Sequence, residues 1–167
     1  MSEVNRVSLK EKTYPIPAFP FIICDIDGTI ADNQARAMLH LHRPGQKKDW
    51  KGWFDGIGDD PPRQEIIEIV RGHHEGGHPI VFMTGRHDGV RTASEEWLER
   101  HWALPYVTLL MRGDGDRRPD TIVKRELYEV YLQHYPIKLV IDDRPSVVRM
   151  WGEVGLEVLD VGSGVEF

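Results

Sequence analysis

The chain has 167 residues, 40% of them hydrophobic, a formal charge of −6 and one cysteine; that length suits one domain with a substantial core, and one cysteine excludes an intrachain disulfide. No stretch approaches the roughly eighteen continuous apolar residues of a membrane span, and Met1 to Lys12 lacks the apolar core of a secretory signal. The acidic balance argues against an overall electrostatic grip on nucleic acid while leaving room for a local basic groove, and the lone thiol points to a reducing, cytoplasmic setting.

Residues 1–20 read as an arm: a mixed, charged start that is solvated chain or a docking segment for a partner, then the proline-rich, extended Tyr14 to Pro20. Phe21-Ile22-Ile23-Cys24 is a buried parallel strand, followed at once by Asp25-Ile26-Asp27-Gly28-Thr29. Side chains alternate along a strand, so Asp25 and Asp27 project the same way where it ends and Cys24 turns into the core. Gly28 permits the turn that leaves the strand. Residues 30–60, rich in Gly, Asp, Lys and Trp, form an irregular small insert. An amphipathic helix opens at Pro62 and ends near Gly76-Gly77, and Pro79 to Met83 is the second strand. Asp88 caps a helix from about Val90 to Trp102, and Tyr106 to Met111 is the third strand. Asp120 caps a helix running to about His134, Ile137 to Ile141 is the fourth strand, Pro145 to Val154 a short helix, and Leu156 to Val161 the last strand. This alternation predicts an α/β domain over 21–167, a central parallel sheet of about five strands with helices on both faces.

Open α/β sheets bind their ligands at the carboxyl ends of the strands, and the reactive groups collect there. The first strand ends in Asp25 and Asp27, the second in Thr84-Gly85-Arg86. Beyond the third lie Arg112 and Asp114, with Lys124 one turn into the next helix. The fourth ends in Asp142-Asp143, then Arg144. Paired acids at a strand end repel one another unless a cation or a proton separates them. His73-His74, His78 and His40-x-His42 carry no coherent ligand spacing and read as solvated turns.

In this order and spacing, Asp25-x-Asp27-Gly28-Thr29, Thr84, Lys124 and Asp142-Asp143 resemble the four motifs of the haloacid dehalogenase (HAD) superfamily of aspartate-dependent phosphatases, over about 21–167. A closer likeness is to the 3′-phosphatase domains of T-even phage polynucleotide kinase/phosphatases. It rests on Arg36 nine residues past Asp27, on Asp120-x-x-x-Lys124, and on the tail Ile141-Asp142-Asp143-Arg144, Val147-Val148-x-Met150-Trp151 and Gly162-Ser163-Gly164 with Phe167. The chain departs from that bifunctional layout because no Gly-x-x-x-x-Gly-Lys-Ser/Thr phosphate loop is present; Gly113-Asp114-Gly115-Asp116 is an acidic loop without the lysine.

The resemblance implies a Rossmann-like three-layer sandwich with a small cap after the first strand, and a Mg²⁺-dependent phosphoric monoester hydrolase. Asp25 would attack phosphorus to form an aspartyl-phosphate, and Asp27 would serve as acid and then base. Asp25, Asp27 through its carbonyl, Asp142 and Asp143 would hold Mg²⁺, with the direct ligand among the last two left open. Thr84 and Lys124 would hold the phosphoryl oxygens, with Gly28, Thr29, Arg36, Gly85, Arg86 and Asp120 binding substrate. The substrate implied is a 3′-phosphate on a nucleic-acid end or nucleotide, with a separate kinase or ligase as partner. Lys47, Lys48 and Lys51 interleave with Trp50, Trp53 and Phe54, either stacking bases or merely forming the insert's small core. Two alternatives stand: a HAD phosphatase of a small metabolite or 5′-nucleotide, and a non-catalytic phosphate-binding domain.

Overall fold

The computed structural model describes residues 18–166 together with the backbone of two strands near the N-terminus. Those strands, β1 (Arg6–Leu9) and β2 (Lys12–Pro15), pair antiparallel with Arg6 opposite Pro15. The rest of the arm expected over 1–20, residues 1–5, 10–11 and 16–17, lies outside the described residues, as does Phe167.

The main sheet has five parallel strands: β3 (Phe21–Cys24), β4 (Ile80–His87), β5 (Thr108–Arg112), β6 (Ile137–Asp142) and β7 (Val158–Asp160), in the order β5-β4-β3-β6-β7. The chain builds outward from β3 through β4 and β5, then returns to the other side of β3. Chain direction thus switches between β3 and β6, where the loops diverge and open a crevice.

Alternation along the strands builds the three layers. Ile22, Cys24, Ile80 and Phe82 pack with Ile67 and Val70 of α3 (Gln64–Glu75) and with Trp97 and Leu98 of α4 (Arg91–His101). Phe21, Ile23, Val81 and Met83 face the other way, onto Val147, Met150 and Trp151 of α6 (Pro145–Val154), with Leu127 and Tyr128 of α5 (Asp120–Tyr131) beside them. Burying each such side chain stabilises the fold by about 1.5–3 kcal/mol. Cys24 is fully buried, and burial pushes its thiol well above the usual range.

Several boundaries move for identifiable reasons. The stretch expected to be irregular holds α1 (Gln34–His40), α2 (Trp50–Asp55) and a 3₁₀ turn. Helices this short are marginal alone; here Ala37, Leu41 and Trp53 form their own small core. Pro62 precedes α3 and bridges Ala31. Asp88 opens a 3₁₀ turn and accepts from Arg91 Nε at 2.6 Å instead of capping α4. Asp120 is not a cap either: α5 follows Pro119, and the Asp120 carboxylate faces two arginines. β4 continues four residues past Met83 because its end pairs with β5 through His87 and Arg112. No helix among the described residues is long and apolar enough to cross a membrane.

Candidate active site

The ladder runs one residue past β3, with Asp25 N donating to Ile141 O at 3.0 Å. Asp25 therefore sits at the β3–β6 crevice beside Asp142. Gly28 then turns the chain at φ +77°, a left-handed conformation that favours glycine, and a side chain there would collide with the Asp143 carboxylate. Thr29 Oγ1 lies 3.0 Å from Asp25 Oδ2 and 3.2 Å from Asp143 Oδ1, so its single proton can go to either. From α5, buried Lys124 Nζ donates to Asp25 Oδ1 at 2.9 Å and to Asp142 Oδ2 at 2.7 Å. Burial works to lower the ammonium's pKa, but Asp142 and Asp25 outweigh it and raise the pKa, keeping Lys124 charged.

Burial pushes Asp25 well above the usual carboxylate range, with Lys124 opposing the shift and Asp142, Asp143 and Asp27 adding to it. Asp143 is pushed up to about 6, first by burial and then by Asp142. Oxygens of Asp25, Asp142 and Asp143 all lie within 4.8 Å of one another. An anionic, all-oxygen set suits a hard divalent cation, and a cation there would relieve the repulsion that raises Asp25 and Asp143. These residues fit a metal. Asp142 is also held by the Asp143 N–H at 2.9 Å and by Trp151 Nε1 at 3.4 Å.

The Asp27 side chain is engaged elsewhere. Arg86 donates to it through Nε and Nη2 at 2.8 and 2.9 Å, and Arg36 through Nη2 at 2.7 Å. Burial alone would raise its pKa, but the two guanidiniums hold it far below the usual carboxylate range. Arg36 is itself fixed by Asp60 at 2.6–3.1 Å, by the Trp53 carbonyl at 2.7 Å and by the Trp53 ring, 3.7 Å below the guanidinium. Trp97 Nε1 in turn donates to the Asp60 carbonyl at 2.8 Å.

Asp25, Asp27, Gly85, Arg86, Asp120, Lys124, Asp142 and Asp143 line one cavity of about 670 Å³. Gly85 presents its carbonyl to Arg112 Nε at 2.8 Å. Thr84 is fully buried outside that lining, its hydroxyl accepting the Arg86 N–H at 3.2 Å. Arg36, Gly28 and Thr29 stand behind the lining and position what lines it. The sequence reading passed over Asp60, Arg63, Arg117, Arg118 and Asn33. Asn33 lines the cavity with a buried Nδ2 that has no partner among the described residues. Arg63 Nη1 ties the Gly28 carbonyl to the Val161 carbonyl, at 2.7 and 3.0 Å. None of these sits in a recognisable spacing; the fold alone brings them in.

Comparison with known proteins gives the family and the fold. The family described as "Polynucleotide kinase PNKP phosphatase domain" matches residues 20–166. The chain is 30% identical over 137 residues to the "Putative bifunctional polynucleotide kinase/RNA ligase" of Autographa californica nuclear polyhedrosis virus, covering 80% of this chain and 18% of that protein. Among solved structures it resembles a chain in the "Structure of the Pnkp1/Rnl/Hen1 RNA repair complex", with TM-score 0.72 and 24% identity over 99% of this chain and 48% of that one. It also resembles the class C acid phosphatase from Bacillus anthracis, with TM-score 0.62 and 17% identity over 87% of this chain and 67% of that one. The chain thus spans less than a fifth of the viral relative and about half of the repair-complex chain. A buried aspartate bound to a buried lysine beside an acidic pair, on this fold and with this match, places the chain in the polynucleotide kinase PNKP phosphatase-domain family, phosphoric monoester hydrolases of the HAD superfamily.

Proposed function

We propose that this domain removes 3′-phosphates from nucleic-acid ends or nucleotides, through an aspartyl-phosphate on Asp25, in end repair before ligation. The observation that carries the chemistry is Lys124 bridging Asp25 and Asp142 on the floor of a cavity that Asp27 shares. Asp25 Oδ attacks phosphorus, the P–O bond to the 3′ oxygen breaks, and Asp27 supplies that oxygen's proton. With both guanidiniums on it Asp27 is ionised in the free domain; the phosphate dianion arriving beside it raises its proton affinity, so that it takes a proton from solvent on substrate binding, and this is the proton it passes to the leaving 3′ oxygen. Asp27 then takes a proton from the water that cleaves the aspartyl-phosphate, which releases phosphate and restores Asp25. Asp25, Asp142 and Asp143 would hold a divalent cation, Mg²⁺ in our reading, whose charge lets one anion attack another. Lys124 stabilises charge on the phosphoryl oxygens; Thr84 shapes the turn that presents Gly85 and Arg86 by accepting the Arg86 N–H, which leaves its own hydroxyl proton free to donate.

The names of the relatives set polynucleotide kinase, RNA ligase and RNA repair beside such domains, which supports a nucleic-acid substrate and a kinase or ligase partner. The deciding experiment measures phosphate release with Mg²⁺ and with EDTA from one oligonucleotide carrying a 3′- or a 5′-phosphate, alongside p-nitrophenyl phosphate. Release from the 3′ end alone, lost with EDTA and reduced more than about a thousand-fold in Asp25→Asn, is expected. Turnover of p-nitrophenyl phosphate with neither end touched would move the substrate to small metabolites. An Asp25→Asn variant as active as wild type would overturn the mechanism.

A further inference from the structure

Part of the cavity lining has no task in phosphoryl transfer. Trp50 is 50% exposed, whereas the other four tryptophans are at most 5% exposed. Its ring runs alongside Phe54 at 6.4 Å and 28°, and Phe54 meets His87 edge-on at 4.4 Å. All three rings line the catalytic cavity, and His87 directly follows Arg86, which grips Asp27. Lys48 Nζ stands 5.5 Å from the Trp50 ring. Core packing does not explain Trp50, because Trp53 fills the insert's core with Ala37 and Leu41.

The loop between β5 and α5 adds cations to the same lining. Arg112 is spent on the carbonyls of Gly85, Asp116 and Arg118 and on Asp120, and Arg118 on Asp116 and Glu126. Arg117 is exposed, lines the cavity and makes no hydrogen bond or ion pair among the described residues.

We propose that Trp50, Phe54 and Arg117 form a subsite for the nucleotide next to the 3′-terminal one. Its base stacks on the Trp50–Phe54 pair, and Arg117 takes the backbone phosphate with two parallel hydrogen bonds. The occupant is an unpaired polynucleotide end, since in a duplex the base next to the terminal one is stacked on both faces and paired at its edge. This rests on the 3′-phosphatase reading and adds to it a minimum substrate length and a preference for single strands.

Two measurements test it. In the first, the Asp25→Asn protein is titrated with a single-stranded pentanucleotide ending in a 3′-hydroxyl, following tryptophan emission. Trp50 and Trp53 both line the cavity, but Trp50 is half exposed and Trp53 almost fully covered, so quenching is expected to come from Trp50, and it should vanish in a further Trp50→Phe variant that still binds by anisotropy. In the second, KM is compared between a nucleoside 3′-monophosphate and a 3′-phosphorylated trinucleotide. The wild type should favour the trinucleotide. Trp50→Ala should cut that advantage about ten-fold, in line with alanine replacement of a stacking ring, and Trp50→Phe should restore most of it. Arg117→Ala should weaken the trinucleotide and reduce the slope of log affinity against log salt by about one. An absence of quenching together with an unchanged length preference in Trp50→Ala would overturn the subsite. Quenching in a protein that hydrolyses p-nitrophenyl phosphate but no 3′ end would keep the subsite and discard the 3′ assignment; neither quenching nor 3′ hydrolysis would discard both.

Discussion

Asp25 and Asp27 carry the same side chain two positions apart and sit in opposite electrostatic surroundings. Asp25 is buried with one ammonium, Lys124, set against the charges of Asp142 and Asp143, while Asp27 receives two guanidiniums. The sequence shows the pair and their shared direction; it does not show which aspartate the arginines choose. Arg36 and Arg86 read equally well as phosphate grips, and the structure turns both toward Asp27, through contacts up to 59 residues apart in the chain. Asp60 had no signal at all, because its value lies in holding Arg36. Replacing it tests this: Asp60→Asn leaves the buried Arg36 without its main counter-charge, and should cost about 3 kcal/mol in urea unfolding. It should also lower kcat more than it raises KM for p-nitrophenyl phosphate, since Arg36 acts through Asp27. An Asp60→Asn protein with unchanged stability and kcat would remove Asp60 from the site.

The insert and the tail show the same division among elements. α1 and α2 have seven and six residues, too few turns for a readable period, so their helicity follows from packing between Trp53, Ala37, Leu41 and Arg36. Trp53→Ala should remove roughly 3–5 kcal/mol of local packing. Hydrogen exchange should then show lost protection over 34–55 with the sheet still protected; sheet-wide loss would mean the insert is no separate layer. The tail works through backbone contact. A side chain at Gly162 would lie 2.9 Å from the Asp143 carbonyl carbon and 3.1 Å from its Cα, backbone that cannot yield as a flexible side chain would. Gly162→Ala should therefore displace Asp143 and lower phosphate release at least about ten-fold, although no charged group is altered. Equal activity would show that the tail adapts instead.

At the scale of the molecule, strand order decides what the acids become. The order β5-β4-β3-β6-β7 sets Asp142 beside Asp25, and α5 delivers Lys124 between them. Lys124 offsets only one of the three carboxylates held within 4.8 Å of one another, and the negative charge left over repels, so Mg²⁺ should stabilise the whole domain. At a hundred times Kd the gain is about 2.7 kcal/mol, a rise in Tm of about 5–10 °C for a domain of this size. Asp142→Asn should abolish most of that rise in a thermal melt with and without Mg²⁺, and an equal rise in the variant would place the cation elsewhere. The net charge of −6 was informative only as an average, since Arg112, Arg117, Arg118 and Arg144 line the same cavity as the site's aspartates. By itself the sequence determined the layered α/β fold, because alternating apolar runs and helical faces are local patterns that must be buried. It also placed Asp25, Asp27, Lys124 and the Asp142-Asp143 pair at strand ends or just beyond. Which groups neutralise which, and that Trp50 faces the cavity while Trp53 fills the insert's core, was decided only by tertiary structure, because those contacts join residues whose spacing along the chain carries no period.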